Sequence, residues 1–504
     1  MSSIAATAHS DSTTRSQERR RWIALVVVCL GQLMIVLDST IVNVALPAIQ
    51  HDLHFTQANL TWVVNAYLIT FGSFLLLAGR LGDLIGRKRV FLSGLALFTA
   101  ASALCGAADS QGLLIVARFV QGLGGALASS VIIALIVVEF PEARERATAM
   151  SVFTFVAVAG GSVGLLAGGA ITESINWHWI FFINLPIGLV TFLLGRALIV
   201  DGEPLGLAQG LDVLGSILVT SAMMSGIYAI VKSSTDGWGS ATTLGFGAAS
   251  LVLLAAFLAW EGRAANPIFP LRVLRLRGLI GSSAVRGLLV TGMFSTFFLG
   301  ALYLERVRGY SSLQTGLAFL PMTLTVATLS LGITARLMRR LGPIRLLAPG
   351  MSLTAIGLLL FAGAGTHTSF FPLIFFAFIL VGLGMGSSFM PLLTVAMADV
   401  PTQDAGLGSG IVNASMQGSA ALGVAVLGTI ATDHTSTLLA HGQSLGAALT
   451  GGYHLAFYVG AGCVAAGIAI ALIVLPPRGR AAQHQAVSGR IVAQPAEALG
   501  SEAA

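Results

Sequence analysis

An acidic and a basic side chain stand inside two long apolar stretches in the first half of this sequence. Asp38 lies within the stretch 22–46, and Arg118 lies within the stretch 112–138. Ionisable residues in such surroundings are costly and usually mark pathways for ions or protons. A carboxylate that gains and loses a proton there would carry out proton transfer with the arginine as its partner. A static ion pair that joins two helices is the alternative, and the residue types alone leave both open.

A second concentration of charge is the segment GRLGDLIGRKRV at 79–90. Five of its twelve residues are charged, in a chain of which only 10% is charged. Gly79, Gly82 and Gly86 permit a tight reversal of the chain, and Arg87 and its basic neighbours are expected to hold the segment at an anionic membrane surface. Asp83 adds little to topology. We therefore hypothesise that it binds a basic residue or a helix N-terminus and latches a gate; a solvated loop charge is the simpler alternative.

The composition points to a membrane protein. The mean hydropathy is +0.87 and 55% of the residues are hydrophobic, whereas soluble domains are about one quarter charged. The net charge of +6 does not indicate a nucleic-acid partner, because the basic residues lie in short loops between apolar stretches. The three cysteines are odd in number and match no spacing motif, so the sequence predicts neither a disulfide framework nor a metal site. No Gly-Lys-Ser/Thr loop accompanies the two lysines, so neither ATP nor another cofactor is expected.

About 20 apolar residues are needed to cross roughly 30 Å of hydrocarbon. By that criterion the sequence contains fourteen spans, at 22–46, 59–79, 88–107, 112–138, 147–172, 178–200, 211–231, 241–260, 279–304, 313–337, 344–364, 370–397, 405–432 and 452–476. With these spans, 22 of the 27 Lys and Arg residues fall on the side of the chain termini. The positive-inside rule then predicts that both termini are cytoplasmic.

Small residues recur at intervals of four in the fifth and thirteenth spans. The fifth carries Gly160, Gly164 and Gly168, with Gly169 beside them, and the thirteenth repeats the pattern from Gly406. Such stripes let another backbone approach closely. If the chain is six helices, two inserted helices and six more, each stripe lies on the fifth helix of its half. Parallel halves of this kind are the layout of major facilitator transporters.

Five motifs carry a resemblance to a known family. They are LDSTIVNVALP (37–47), GRLGDLIGRKRV (79–90), RFVQGLGGA (118–126), GGSVGLLAGG (160–169) and WHWIFFINLPIG (177–188). In this order they resemble the motifs of the fourteen-helix drug:proton antiporter branch of the major facilitator superfamily. That branch usually has Gly-Pro where this chain has Gly164 and Leu165, so the resemblance is closer for the fold than for antiport.

The resemblance implies an all-α membrane protein with the major facilitator fold. Its expected parts are a cytoplasmic tail at 1–21, a six-helix bundle at 22–200, two inserted helices with cytoplasmic linkers at 201–277, a second six-helix bundle at 278–477 and a cytoplasmic tail at 478–504. The first and fourth helices line the central cavity in this fold. Asp38 and Arg118 lie at similar depths, about 10 Å and about 9 Å from the outer side at 1.5 Å per residue. We therefore expect them to meet, directly or through Gln121 or water.

The expected substrate surface is apolar with a few polar groups. The candidates that line it are Asn43, Asn65, Gln121, Arg286, Asn413 and Gln417. Abundant Met and Phe residues suit varied ligands, which favours bulky amphipathic or cationic compounds over sugars. Arg286 either binds an anionic group in the cavity or extends its charge to the membrane surface.

The resemblance implies an exporter of drugs, antibiotics or amphipathic metabolites, driven by proton antiport across a bacterial cell membrane. A proton supplies about 2.3 kcal/mol per 100 mV and about 1.4 kcal/mol per pH unit. The expected partners are the small-molecule substrate, protons and the lipid bilayer. A proton-independent facilitator or symporter of a small solute, and a membrane sensor without transport, remain alternatives. No catalytic cluster of an enzyme is recognisable.

Overall fold

The protein is described here from a computed structural model. The structure describes residues 2–55, 57–200, 204–206, 212–264, 267, 269–401 and 404–475. The predicted tail 478–504 and most of the linker that begins at 201 lie outside these ranges. All regular elements in the described ranges are helical, in agreement with the all-α prediction.

The first half contains seven helices and is followed by the inserted pair. The first-half helices are α1 (Ser2–Asp52), α2 (Gln57–Ile85), α3 (Arg87–Gly106), α4 (Gln111–Glu139), α5 (Ala143–Ser174), α6 (Trp179–Phe182) and α7 (Asn184–Leu198). The inserted pair is α8 (Val213–Asp236) and α9 (Ala241–Glu261). Helix α1 begins at Ser2. Residues 2–21 of the predicted tail are therefore helical and continuous with the first span.

The second half contains nine helices, some of them short. They are α10 (Arg277–Phe294), α11 (Gly300–Leu302), α12 (Ser312–Ala318), α13 (Leu320–Thr328), α14 (Thr334–Leu341), α15 (Pro343–Phe361), α16 (Phe375–Ala398), α17 (Ala405–Ala440) and α18 (Leu445–Val474). A 3₁₀ turn at Leu271–Arg275 precedes them. Single π turns at Ser295–Leu299, Tyr303–Val307, Leu329–Ile333 and Phe370–Ile374 join or extend several of them.

The number of long membrane helices is smaller than the number of predicted spans. Twelve helices in the described ranges are long and apolar enough to cross a membrane, and the two arms of α5 would make a thirteenth. The predicted span 313–337 is divided among α12, α13 and α14, which follow one another as short helices. Pro321 at the start of α13 lacks a backbone N–H, and Gly332 has a positive φ of 128°. The count of fourteen spans therefore stays a prediction.

The segment between the second and third spans also differs from its prediction. Helix α2 continues to Ile85 and α3 begins at Arg87, so Gly86, with φ 109°, is the only residue between them. Gly79 and Gly82 lie inside α2, and their expected role in the reversal is wrong. They serve close packing instead: a Cβ atom at Gly79 would meet α17, and one at Gly82 would meet Val131 of α4.

The two halves share one apolar core at the end of the bundle where α2 ends and α3 begins, which we call the α2–α3 end. This core contains buried residues of α1 to α5, such as Phe91 and Ile133, together with Leu393 of α16 and Leu407 of α17. A second core lies within the second half and a third within the first. The shared core closes the halves against each other at the α2–α3 end.

Candidate functional site

Asp38 and Arg118 form an ion pair in the interior of the first half. Arg118 Nη1 lies 2.6 Å from Asp38 Oδ2, and the side chains are 1% and 0% exposed. Helix α1 supplies the carboxylate and α4 supplies the guanidinium. The contact expected from matching depths along the two helices is therefore present and direct.

Hydrogen bonds connect this pair to groups on two further helices in one network. Asp38 Oδ1 accepts hydrogen bonds from Gln121 Nε2 at 2.8 Å and from Asn184 Nδ2 at 3.2 Å. Arg118 Nη1 also donates to Gln121 Oε1 at 2.7 Å, and its Nε donates to the carbonyl of Val63 at 2.9 Å. The network thus joins α1, α2, α4 and α7.

An ionised carboxylate fits this network, because it only accepts hydrogen bonds and three donors face it. A protonated Asp38 would carry a hydrogen on one oxygen, so at least one donor would have to move away. If Arg118 were that donor, it would keep its hydrogen bonds to Gln121 and to the carbonyl of Val63. Its guanidinium also lies 4.3 Å from the ring centroid of Tyr67. The arrangement can therefore accommodate a proton on Asp38 by moving Nη1 of Arg118, because the guanidinium keeps two neutral acceptors and the Tyr67 ring.

The glycine stripe of α5 packs against α1 at the level of Asp38. A Cβ atom at Gly164 would lie 3.3 Å from the carbonyl oxygen of Leu37, and one at Gly168 would lie 2.8 Å from Ile41 Cγ1. Gly160 and Gly169 face the same helix, with closest approaches of 3.0 Å and 3.9 Å to Leu33 and Val44. The stripe therefore provides the close approach of two backbones that its spacing predicts.

Helix α5 bends at the position where the family motif has a proline. The arms Arg144–Gly161 and Leu166–Ser174 meet at 41°. Kinks of this size occur at proline or at Gly/Ser pairs, and the sequence between the arms begins with Ser162 and includes Gly164. The bend is thus present in this chain without the proline.

Asp83 binds the N-terminus of a helix in the other half. Its Oδ1 accepts the backbone N–H of Gly406 and its Oδ2 accepts that of Leu407, both at 2.9 Å. Arg87 Nη2 donates to Asp83 Oδ1 at 2.7 Å. A carboxylate at this position satisfies N–H groups that have no partner within α17 and meets the positive end of the helix dipole. The structure thus contains both partners that were expected for Asp83.

The linkers on both sides of the inserted helices reach the contact between Asp83 and the start of α17. The backbone N–H of Leu205 donates to the carbonyl of Asp83 at 3.0 Å. Arg272, in the 3₁₀ turn after α9, donates to Asp404 Oδ2 at 2.7 Å. Asp404 directly precedes α17 and lies 3.8 Å from Arg80 of α2. The inserted pair is therefore attached to the same end of α2 and α17 that Asp83 joins.

The residues expected to line a cavity have different surroundings. Gln121 is fully buried in the Asp38 network. Asn413 donates to the carbonyl of Ser129 at 3.1 Å and so connects α17 to α4 across the halves. Asn65 and Gln417 are half-buried on α2 and α17. The side chain of Asn43 is outside the described part of the structure.

Arg286 is buried in the second half, with contacts on two neighbouring helices. Its guanidinium lies 5.2 Å from the ring centroid of Phe389 of α16, and Nη2 lies 3.5 Å from Met416 Sδ of α17. The side chain therefore points into the protein. Of the two roles predicted for Arg286, the extension of its charge to the membrane surface does not match this placement.

Two residues of the Asp38 network were not predicted as site residues. Asn184 Nδ2 bonds Asp38 and also Ser102 Oγ at 3.0 Å, and Ser102 Oγ donates to the carbonyl of Phe181 at 2.9 Å. Both are 0% exposed. The sequence feature that could have pointed to Asn184 is its position as a single amide within the apolar run IFFINLPIG.

Comparisons with known proteins agree on one family. The model of the Major Facilitator Superfamily matches residues 28–424. The puromycin resistance protein pur8 of Streptomyces alboniger is 36% identical over 98% of this chain and 99% of its own length. The tetracenomycin C resistance and export protein of Streptomyces glaucescens is 33% identical over 82% of this chain and 76% of its own length.

A solved structure has the same fold. The crystal structure of the human organic anion transporter MFSD10 superposes with a TM-score of 0.63, covering 90% of this chain and 99% of that one. The sequence identity is 16%, so this likeness concerns the fold alone.

Proposed function

The chain belongs to the major facilitator superfamily of membrane transporters, and on that premise we propose that it exports amphipathic drugs, antibiotics or metabolites in exchange for protons. Two of its relatives are named for resistance to puromycin and for resistance to and export of tetracenomycin C. The proposed location is a bacterial cell membrane with both termini in the cytoplasm. This orientation is supported by the distribution of Lys and Arg along the chain, and it makes the α2–α3 end the cytoplasmic end.

The observation that carries the proposal is the Asp38 network. A fully buried carboxylate is retained in an apolar bundle, and every one of its described contacts is a hydrogen-bond donor. Ionisable groups at such positions are expensive and usually functional. In the proposed cycle Asp38 takes a proton when its surroundings open outward and releases it when they open inward. Substrate binding and proton binding favour opposite states, which is sufficient for exchange because linkage is reciprocal.

Contacts on both sides of α5 support a link between Asp38 and the second half. Its glycine stripe holds α1 at the level of Asp38, as described above. Near its start, Ser151 Oγ lies 2.9 Å from Met390 Sδ of α16. Near its end, a Cβ atom on Gly316 of α12 would lie 2.8 Å from Leu166. A displacement of α1 on protonation would therefore be carried through α5 to both ends of the interface between the halves.

Asp83 is proposed to hold the cytoplasmic gate closed. Its two hydrogen bonds to the start of α17 connect the two halves at the α2–α3 end, and Gly79 allows the backbones of α2 and α17 to meet there. Opening toward the cytoplasm separates these helices and breaks both bonds. These bonds stabilise the closed state of the gate. Hydrogen bonds to charged groups contribute about 1.5–3 kcal/mol each.

Accumulation of puromycin in bacterial cells tests the proposal. Cells that express the chain should accumulate less puromycin than cells that express the Asp38→Asn protein, and a protonophore should remove the difference. A reduction that persists with the protonophore would instead support a proton-independent facilitator. If neither puromycin nor a panel of amphipathic antibiotics is excluded from the cells, export is the wrong function and a sensor without transport becomes the better account.

A further inference from the structure

A buried cation of the second half has no counter-ion among the residues that the structure describes. Arg286 is only 7% exposed. It is nine residues from the start of α10, which places it about 13 Å from that end of the helix at 1.5 Å per residue. Its Nε and Nη1 make no hydrogen bond within the described part of the chain. Its polar contact there is the sulfur of Met416, a weak acceptor.

The long helices of the second half place no carboxylate near this guanidinium. Helices α10, α15, α16 and α18 contain neither Asp nor Glu. Helix α17 contains only Asp433, which is 17 residues beyond Met416, or about 25 Å along the helix. Arg118, a buried arginine of the first half, has Asp38 at 2.6 Å. Arg286 therefore lacks the kind of partner that the chain provides for a structural ion pair.

Two hydroxyl groups on the same face of α10 also lack partners. Ser282 and Ser283 precede Arg286 by four and three residues, which places all three on one side of the helix. Both hydroxyls are buried and make no hydrogen bond within the described residues. Buried polar groups are usually satisfied, and an uncompensated buried charge is especially costly. Three adjacent groups that can all donate hydrogen bonds indicate that an acceptor from outside the chain binds here.

The residues that contact Arg286 lie close along the chain to residues that touch the first half. Met416 is three residues after Asn413, which bonds Ser129 of α4. Phe389 precedes Met390, which contacts Ser151 of α5. The neighbours of Arg286 on α16 and α17 thus adjoin residues that touch the first half. A molecule that binds between the halves would reach Arg286 and the ring of Phe389 together.

We propose that Arg286 binds an acidic group of the transported molecule, a carboxylate or a similar singly charged oxyanion on an aromatic body. This inference rests on the proposed export function, because it assigns the chemistry of that substrate. Arg286 supplies the charge, the two serine hydroxyls add donors, and Phe389 offers an aromatic surface. An acidic substrate fits these residues better than the cationic substrate that the sequence suggests, because a cation would be repelled by the unpaired guanidinium.

Binding of matched acids and amides to the purified, detergent-solubilised protein tests this assignment. The probes are 2-naphthoate, anthracene-9-carboxylate and biphenyl-4-carboxylate, each paired with its neutral amide, and tryptophan fluorescence reports binding. At least one acid should bind wild type about tenfold or more tightly than its amide, an increment expected of a charge-assisted contact. Arg286→Gln should abolish the preference, and Arg286→Lys should keep part of it. Arg339→Gln, which removes an exposed charge, should leave it intact.

Thermal unfolding without ligand separates this role from a structural one. Arg286→Met removes an unpaired buried charge and should leave the melting temperature equal or raise it, whereas loss of a structural arginine would lower it. The assignment is overturned if wild type shows no preference for any of the three acids, or if Arg286→Gln retains that preference. Because these measurements involve no transport, they can fail while proton-driven puromycin export succeeds, and the reverse.

Discussion

Gly79 and Gly406 lie backbone to backbone where α2 of the first half crosses the start of α17 in the second. A Cβ atom built on Gly79 would lie 2.5 Å from the carbonyl oxygen of Gly406. No real Cβ atom approaches a backbone oxygen so closely, and neither helix can yield without moving the other. The contact between the halves at this end therefore depends on the absence of a single methyl group.

Replacement of Gly79 by alanine should impair transport without preventing membrane insertion. The added methyl group overpacks the junction, at a cost of about 1–3 kcal/mol to the closed state. We expect the rate of export into everted vesicles, measured with puromycin or with whichever compound the cell assay shows to be exported, to fall about tenfold at equal protein level. Gly245→Ala is the matched control, because Gly245 is an exposed residue of α9 with no atom within 4 Å of its added Cβ. Equal rates for Gly79→Ala and Gly245→Ala would show that the junction does not have to close.

Asp83→Asn should slow export severely while leaving the amount of protein in the membrane unchanged. Asparagine has one acceptor oxygen, so it cannot receive the N–H groups of Gly406 and Leu407 with both of its terminal atoms. It also loses the charge that faces the helix dipole and Arg87. Since hydrogen bonds to charged groups are worth about 1.5–3 kcal/mol, we expect a loss of about tenfold or more in the export rate of vesicles.

Asp236→Asn provides the control for Asp83→Asn. Asp236 pairs with Lys232 at 3.6 Å, and both side chains are about one third exposed, so this pair is worth about 0–1 kcal/mol. Export by the control should stay within about fivefold of wild type. A well-expressed Asp83→Asn protein that exports at the wild-type rate would rule out the latch and leave a charge whose contacts have no part in the cycle.

The sequence predicts a contact between two residues better than it predicts a complete hydrogen-bond network. The contact of Asp38 with Arg118 is predictable because the family resemblance implies that the first and fourth helices both line the cavity, and depth along each helix can be counted from its span end. Asn184 is not predictable in the same way, since its approach to Asp38 depends on how α7 packs against α1. The position of Asp83 at a helix N-terminus is predictable as a type of contact, but the choice of α17 requires the three-dimensional arrangement.

Glycine is ambiguous in the sequence for a physical reason. It serves both reversals and close packing, because each requires the absence of a side chain. Gly86 has a positive φ and serves the reversal, whereas Gly79 serves packing inside a helix. The division of the segment 313–337 into short helices is equally hidden in its hydropathy, which is continuous across Pro321 and Gly332.

Both chain termini should lie in the cytoplasm. Single cysteines at Thr14, Gly239 and Ser488, in a chain whose three native cysteines are replaced by alanine, can report this with a membrane-impermeant thiol reagent. Gly239 is an exposed residue between α8 and α9 with no atom within 4 Å of its added Cβ. In intact cells only the cysteine at 239 should react, and after permeabilisation all three should react. Reaction at 14 or 488 in intact cells would contradict the proposed orientation.

Asp38→Asn should abolish export that is driven by a pH gradient, although the protein still reaches the membrane. Asparagine keeps the size of the side chain and can accept one hydrogen bond from Arg118, which retains Gln121 and Val63 as further acceptors. It cannot exchange a proton. Asp38→Glu retains a titratable group in a fully buried position, so we expect reduced export with a shifted pH dependence.

Proton release on substrate binding measures the role of Asp38 directly. Wild-type protein in weakly buffered detergent should release protons when it binds puromycin, or whichever compound the cell assay shows to be exported, and Asp38→Asn should release none. Asp52→Asn is the control, since Asp52 is an exposed carboxylate at the end of the same helix that accepts Trp177 Nε1 at 2.9 Å; it should release as many protons as wild type. If Asp38→Asn also releases the wild-type number, the pair with Arg118 is a static link between α1 and α4, and proton coupling belongs to another group.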